Sequence, residues 1–371
     1  MISPALYAPV FYNVGLLLVL FKCVGLWKQN AGNTDKQEVT KAFLLCFAVI
    51  LFFGLRPISG VYFGDTSTYA HSYYNYVNEG ILLSSGDWLW SWIMTTCANL
   101  GLGVSAWFTL IELLYVGLLL WAALRIGSNR SVYLLVLFFI SAFGFWSGAV
   151  NGLRIGLATS LFMVAFTYLL KSGTRGKVFA LLMLIIAIFI HKSIVLPVLC
   201  LIGSIFLFKN IKFTVAFWFF SILLLVLFGN FFVSVLNALG LFDIDQRMAD
   251  YLTSDRIQGV GYDKGGFRLD FLLYSLAPIA FGWYVTVKKK TTDKLYMVML
   301  NTYILANAFW ILVMYSNFSN RFASLSWFLY PLILAYPLIK FKLWKNQRVI
   351  TAWILFANAF FTYFMWLIGK L

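Results

Sequence analysis

Apolar residues fall in blocks of 16 or more between polar breaks, and these blocks predict spans near 6–26, 42–56, 104–124, 131–147, 152–170, 177–191, 193–208, 212–233, 269–287, 294–315, 322–339 and 349–369. A helix needs about 20 mostly apolar residues to cross a bilayer, so twelve spans use roughly 240 residues and leave about a third of the chain for loops. The expected fold is all-α: a polytopic integral membrane protein with about 12 transmembrane helices in a single transmembrane domain, 1–371. The stretch Gly86–Gly103 carries Trp88, Trp90, Trp92, Ile93 and Met94 and has the look of a span's start. Counting it as one would invert every later loop, so it is read as an interfacial helix lying flat. Two long outer loops then follow: 57–105, which includes that helix, and 234–266.

Composition changes the picture by exclusion. Of 371 residues, 62% are apolar and 11% charged, against roughly 45–50% and 25% in a soluble domain. An ordinary soluble enzyme is excluded. The first apolar stretch has neither a basic start nor a small-residue cleavage site, so it is expected to stay as a span. The net charge of +15 reflects topology rather than nucleic-acid binding. With the N-terminus outside, nineteen of the 28 basic residues fall in the inner connections, from Lys22 to Arg348, and nine on the outer side, balanced there by nine of the thirteen carboxylates. Every loop obeys the positive-inside rule. Cys23, Cys46, Cys97 and Cys200 show no paired or ligand spacing, so neither disulfide nor structural zinc is expected.

The outer face holds the candidate chemistry. Arg56, Arg154 and Arg321 each sit where an apolar run meets the outer surface, and His191-Lys192 ends another run in the same way. Such residues either snorkel to headgroups or converge on an anion, and a guanidinium fork suits phosphate oxygens. Gly144, Gly148, Gly152, Gly156 and Ser160 form a stripe at intervals of four. It reads as close helix packing, and the turn it contains would also let backbone N–H groups approach a phosphate. The first loop offers Gly64-Asp65-Thr66-Ser67-Thr68-Tyr69, then His71, Tyr73, Tyr74 and Tyr76, a carboxylate and hydroxyls beside rings, which suits a sugar or an aromatic belt equally. Asp243-Ile244-Asp245 is a weak candidate for a metal-binding pair, while Gly259, Gly261, Gly265 and Gly266 suggest a mobile loop. No phosphate-binding GxxxxGK[ST] stretch occurs, and the sequon Asn317-Phe318-Ser319 is taken as chance. Glu112 is an ionisable residue well inside a span and requires a partner.

An arginine closing the second span before a Gly-Asp-Thr…Tyr loop, Asn151-Gly152-Leu153-Arg154 opening a later span, Phe189-Ile190-His191-Lys192-Ser193 at the outer end of the next, and Asn320-Arg321-Phe322 near the C-terminus together resemble the EpsG family. That family belongs with the Wzy-type polymerases of exopolysaccharide and O-antigen assembly. The similarity runs from about Phe43 to Tyr330. It implies a GT-C-like fold in a bacterial inner membrane and transfer of a growing glycan from undecaprenyl pyrophosphate to a new lipid-linked repeat unit at the outer leaflet. The implied partners are undecaprenyl-pyrophosphate-linked oligosaccharides, membrane lipids and a chain-length co-polymerase, with no nucleic acid.

On this reading Arg154 and Arg321 hold pyrophosphate first, with Arg56 and Lys192 next. His191 is the expected base for the acceptor hydroxyl, since the cations around it favour a neutral imidazole, and Asp65 is the second choice. Tyr69, Asn151 and Asn320 are expected to touch substrate. A single displacement inverts the anomeric configuration, and no cofactor or metal is required. A glycan ligase would use a similar cationic outer site. A flippase would instead show a charged cavity reaching inward between the spans.

Overall fold

A computed structural model of the chain describes residues 2–28, 35–82, 86–169, 173–238, 266–316 and 319–369. They form helices and connections with no strand among them. In chain order the α-helices are α1 (Pro4–Trp27), α2 (Asp35–Gly54), α3 (Gly60–Phe63), α4 (Thr66–Glu79), α5 (Trp88–Asn99), α6 (Val104–Ile126), α7 (Val132–Ile140), α8 (Phe143–Val150), α9 (Leu153–Leu169), α10 (Thr174–Ile190), α11 (Val195–Phe206), α12 (Ile211–Phe228), α13 (Phe231–Ala238), α14 (Leu269–Trp283), α15 (Lys294–Leu312), α16 (Ser319–Trp327), α17 (Tyr330–Lys340) and α18 (Gln347–Leu367).

All twelve apolar blocks are helical, but fewer than twelve are plain spans. Among the described residues eight helices are long and apolar enough to cross a membrane, or nine if one bent pair counts as a span. The bent pair is Asn129–Ile140 with Phe143–Val150, which meet at 73°. The break falls at Ser141, whose hydroxyl bonds back to Leu137 O at 2.6 Å, and at Ala142, whose ψ of 146° is extended. Nothing there is proline, so the apolar pattern runs through the bend unmarked. The blocks at 152–170 and 177–191 become α9 and α10, with 17 residues and a length of about 25 Å each. The block at 193–208 becomes the shorter helical segment Lys192–Phe206. α5, the expected interfacial helix, has 12 residues and spans about 18 Å, which is too short to cross the roughly 30 Å hydrocarbon core. Of the expected second outer loop 234–266, residues 234–238 are the end of α13, and 239–265, with Asp243, Asp245, Gly259, Gly261 and Gly265, lie outside the described residues, as do Asn317 and Phe318.

The chain divides into two compact units, Met1–Ile194 with Leu334–Leu371, and Val195–Ile333. In the first, α9 is buried from Leu153 to Thr167 at nearly every position, so it is the central helix, and α6 and α10 pack along it. A helix apolar on all sides is stable only in such a place. Gly148 and Gly156 let α8 and α9 touch: a Cβ on Gly156 would stand 2.5 Å from Gly148 O. The packing reading of the small-residue stripe holds at this pair, whereas Gly144 faces open space.

Hydrogen bonds mark the two ends of this unit. At one end Arg130 meets Asp35, Lys22 meets Glu38 and Arg125 donates to Thr167. At the other Thr66 Oγ1 donates to Val150 O at 2.5 Å. The bent α7–α8 pair therefore runs from the Asp35 end to the Thr66 end of the unit. In the second unit α15 takes the central place, with α11, α12 and α16 around it. Trp218 Nε1 donates to Asn307 Oδ1 at 2.8 Å, and Asn307 Nδ2 donates to Ser275 and Ser326 hydroxyls at 3.0 Å each. These bonds satisfy buried polar groups that would otherwise oppose the packing.

Candidate functional site

Asp87 stands at the N-cap position of α5, yet its carboxylate makes no capping bond. It is 1% exposed and binds groups from two other segments instead. Its Oδ2 accepts from Arg154 Nη1 at 2.5 Å and lies 3.4 Å from His191 Nδ1, while Oδ1 accepts the backbone N–H of Lys192 at 3.1 Å. Burial pushes the Asp87 pKa up, but the His191 imidazole, the Arg154 guanidinium and the Lys192 N–H together outweigh it and hold the group below its ordinary 3.8. Asp87 is therefore the anionic centre of a cationic group.

Local backbone chemistry delivers each partner. α10 stops at His191, whose φ of −153° and ψ of 108° are extended, and the short turn Lys192–Ile194 follows. The stop frees the Lys192 N–H from helix bonding and turns it toward Asp87. Gly152 reverses the chain between α8 and α9, which puts Arg154 in the first turn of α9. Gly86 has φ +71°, and a Cβ there would stand 3.3 Å from Lys192 Nζ, so the lysine amine lies against a backbone that only glycine makes this slim. The Arg154 guanidinium lies 5.8 Å from the Tyr69 ring, which packs 5.3 Å from Trp90. Lys192 is exposed, whereas Arg154 and Tyr69 are buried.

A second ion pair touches the start of α4 through Thr66. Arg56 is 1% exposed; its Nη1 donates to Glu112 Oε1 at 3.1 Å and to Phe53 O at 2.6 Å, and its Nε and Nη2 lie 3.3 Å from Thr66 Oγ1. The arginine expected to face an anionic ligand thus faces Glu112. The reason is the one that required a partner for Glu112: an unpaired carboxylate inside apolar helices is too costly to leave. Thr66 passes the connection on to Val150 O, at the start of the turn that holds Arg154. In the same turn Asn151 Oδ1 accepts the Asp65 N–H at 2.9 Å. Gly64, at φ +53°, brings its backbone so close to Asn151 Oδ1 that a Cβ would collide with it.

Among the sequence candidates, then, Arg154, His191 and Lys192 share one carboxylate, and Asp65, Tyr69 and Asn151 line the adjoining turn and helix. Arg321 and Asn320 belong to the second unit, in the first turn of α16, where Asn320 Oδ1 is buried with no hydrogen-bond partner among the described residues. His71 is exposed and lies 3.2 Å from Asn75 Nδ2. Asp87 is the residue that sequence reasoning missed. An aspartate just before an apolar helix reads as an ordinary cap, and no feature of Gly86-Asp87-Trp88 distinguishes it. Among the described residues no group of three or more His, Cys, Asp and Glu side chains is arranged to hold a metal ion.

The model of the EpsG family matches residues 41–370. No curated protein and no solved structure matches the chain.

Proposed function

Because the chain belongs to the EpsG family, we propose that it is a membrane glycosyltransferase that polymerises undecaprenyl-pyrophosphate-linked repeat units at the outer face of a bacterial inner membrane. The observation that carries this reading is the meeting of Arg154, His191 and Lys192 on Asp87 at one end of a helical body. A carboxylate only accepts hydrogen bonds, so it holds the hydrogen of His191 on Nδ1 and leaves Nε2 as the acceptor.

The acceptor hydroxyl attacks the anomeric carbon of the donor sugar and gives its proton to His191 Nε2. The new C–O bond forms as the bond to the pyrophosphate oxygen breaks, and the pyrophosphate departs with the electron pair. Lys192, exposed and close by, neutralises the departing charge. Arg154 joins it as a fixed cation whose orientation Asp87 sets. Arg321, in the second unit, stays a separate candidate for a pyrophosphate. Arg56 is a positioning residue here: through Thr66 it ties α2 and α6 to the Arg154 turn. Asp65, Tyr69 and Asn151 shape the acceptor's surroundings.

Incubation of the purified protein with a single lipid-linked repeat unit is expected to give a ladder of multimers. Transfer to a lipid-core acceptor without multimers would make it a ligase instead.

A further inference from the structure

The second unit holds a cavity of about 460 Å³ that the reaction does not use. It is lined by Ser204, Phe206, Lys209, Lys294, Met297 and Asn301, among others. All of them lie where α11 ends and α15 begins. α15 has 19 residues and is about 28 Å long, and Arg321 follows its far end. Within this unit the cavity and Arg321 therefore occupy opposite ends.

Three features of the cavity point to one ligand chemistry. Lys209 and Lys294 are exposed cations from different segments, and neither makes an ion pair among the described residues. Asn301 is 1% exposed; its Nδ2 donates to Phe208 O at 2.7 Å, while its Oδ1 is buried without any partner. An amide oxygen removed from water in this way is costly unless a donor reaches it. Apart from Ser204, whose hydroxyl is already bonded to Leu201 O and Thr302 Oγ1, the rest of the wall is apolar, and Phe206 in it is 67% exposed, a surface suited to an acyl chain.

We propose that this cavity binds a phosphate ester whose alcohol part carries a hydrogen-bond donor. The two ammonium groups take the phosphate, and Asn301 Oδ1 takes the hydroxyl or amine. A phospholipid headgroup of the glycerol type and a soluble glycerol phosphate share this chemistry. The proposal does not depend on the polymerase reading.

The test uses the purified, delipidated full chain in detergent, with binding followed by native mass spectrometry and by thermal shift. Phosphatidylglycerol is expected to bind at least ten-fold more tightly than phosphatidylethanol, which has the same charge but no donor on its alcohol. The double variant K209Q/K294Q is expected to keep its melting temperature without lipid and to lose phosphatidylglycerol affinity ten-fold or more. Glycerol 1-phosphate that binds as tightly as the lipid and competes with it would identify a soluble ester as the source, and no effect of glycerol 1-phosphate would identify the lipid. Equal affinity for the two lipids, binding unchanged in the double variant, or no binding of any probe would overturn the proposal.

Discussion

Asp87 Oδ2 lies 2.5 Å from Arg154 Nη1, although 67 residues separate the two in the chain. The pair fixes the loop before α5 to the first turn of α9, and both side chains are almost wholly buried. Removing one charge of such a pair leaves the other uncompensated, at a cost of about 3–5 kcal/mol. Asp87→Ala is therefore expected to lower the melting temperature of the purified protein markedly and to end chain extension. A variant that melts like the wild type would show that Arg154 does not need this partner.

The same carboxylate sets an acid limit. Its folded pKa lies below the ordinary 3.8, so the unfolded chain binds the proton more readily. The stabilisation is fully present above about pH 4 and is lost as pH falls through the folded value. Thermal melting below pH 4 is expected to fall more steeply for the wild type than for Asp87→Asn, which has no carboxylate to protonate. Parallel curves would remove Asp87 from the acid response.

Arg56 and Glu112 allow a cleaner experiment, because both side chains have zero exposure. Glu112→Ala alone strands a buried guanidinium and is expected to cost about 3–5 kcal/mol, whereas Arg56→Met with Glu112→Leu removes both charges and is expected to be close to neutral in stability. The readout that separates structure from function is chain extension in the double variant. If the pair positions the Arg154 turn through Thr66, extension falls while the melting temperature holds.

These residues also show what the sequence made legible. The need of Glu112 for a partner was visible, since an ionisable group in an apolar run has few alternatives, but the identity of that partner was not. Arg56 at a span's end has the same sequence appearance as Arg154, and only packing assigns one to a buried ion pair and the other to Asp87. The apolar blocks became helices among the described residues, but α4, whose sequence Thr66–Glu79 is largely polar and hydroxyl-bearing, lies in none of them. The break at Ser141–Ala142 was not legible either, because a bend made by backbone geometry and a serine back-bond leaves hydropathy unchanged. Asp87 was hidden because capping is the commonest use of an aspartate before a helix.

Gly156 offers a stability test with an internal control. A methyl group there would press on the Gly148 backbone at 2.5 Å, which cannot yield as a flexible side chain would, whereas one on Gly144 meets nothing within 4 Å. Gly156→Ala is expected to destabilise by about 1–3 kcal/mol through overpacking. Gly144→Ala is expected to be neutral or stabilising by up to about 1 kcal/mol, because alanine favours helix. Thermal melts of the two variants side by side decide it; equal melting temperatures would mean that α8 and α9 do not approach this closely.

His191 carries the proposal for proton transfer. Asparagine at 191 retains a polar group facing Asp87 but has nothing at the Nε2 position to take a proton. General-base catalysis contributes about 10²–10⁴-fold, so His191→Asn is expected to slow extension by that range and to flatten the dependence of the rate on pH. Binding of the lipid-linked repeat should change little, because the cations Arg154 and Lys192 remain. A rate that keeps the wild-type value and pH profile would place the base elsewhere, with Asp65 the next residue to replace. A loss of binding together with rate would instead mean that His191 positions Lys192 through the turn that the two residues share.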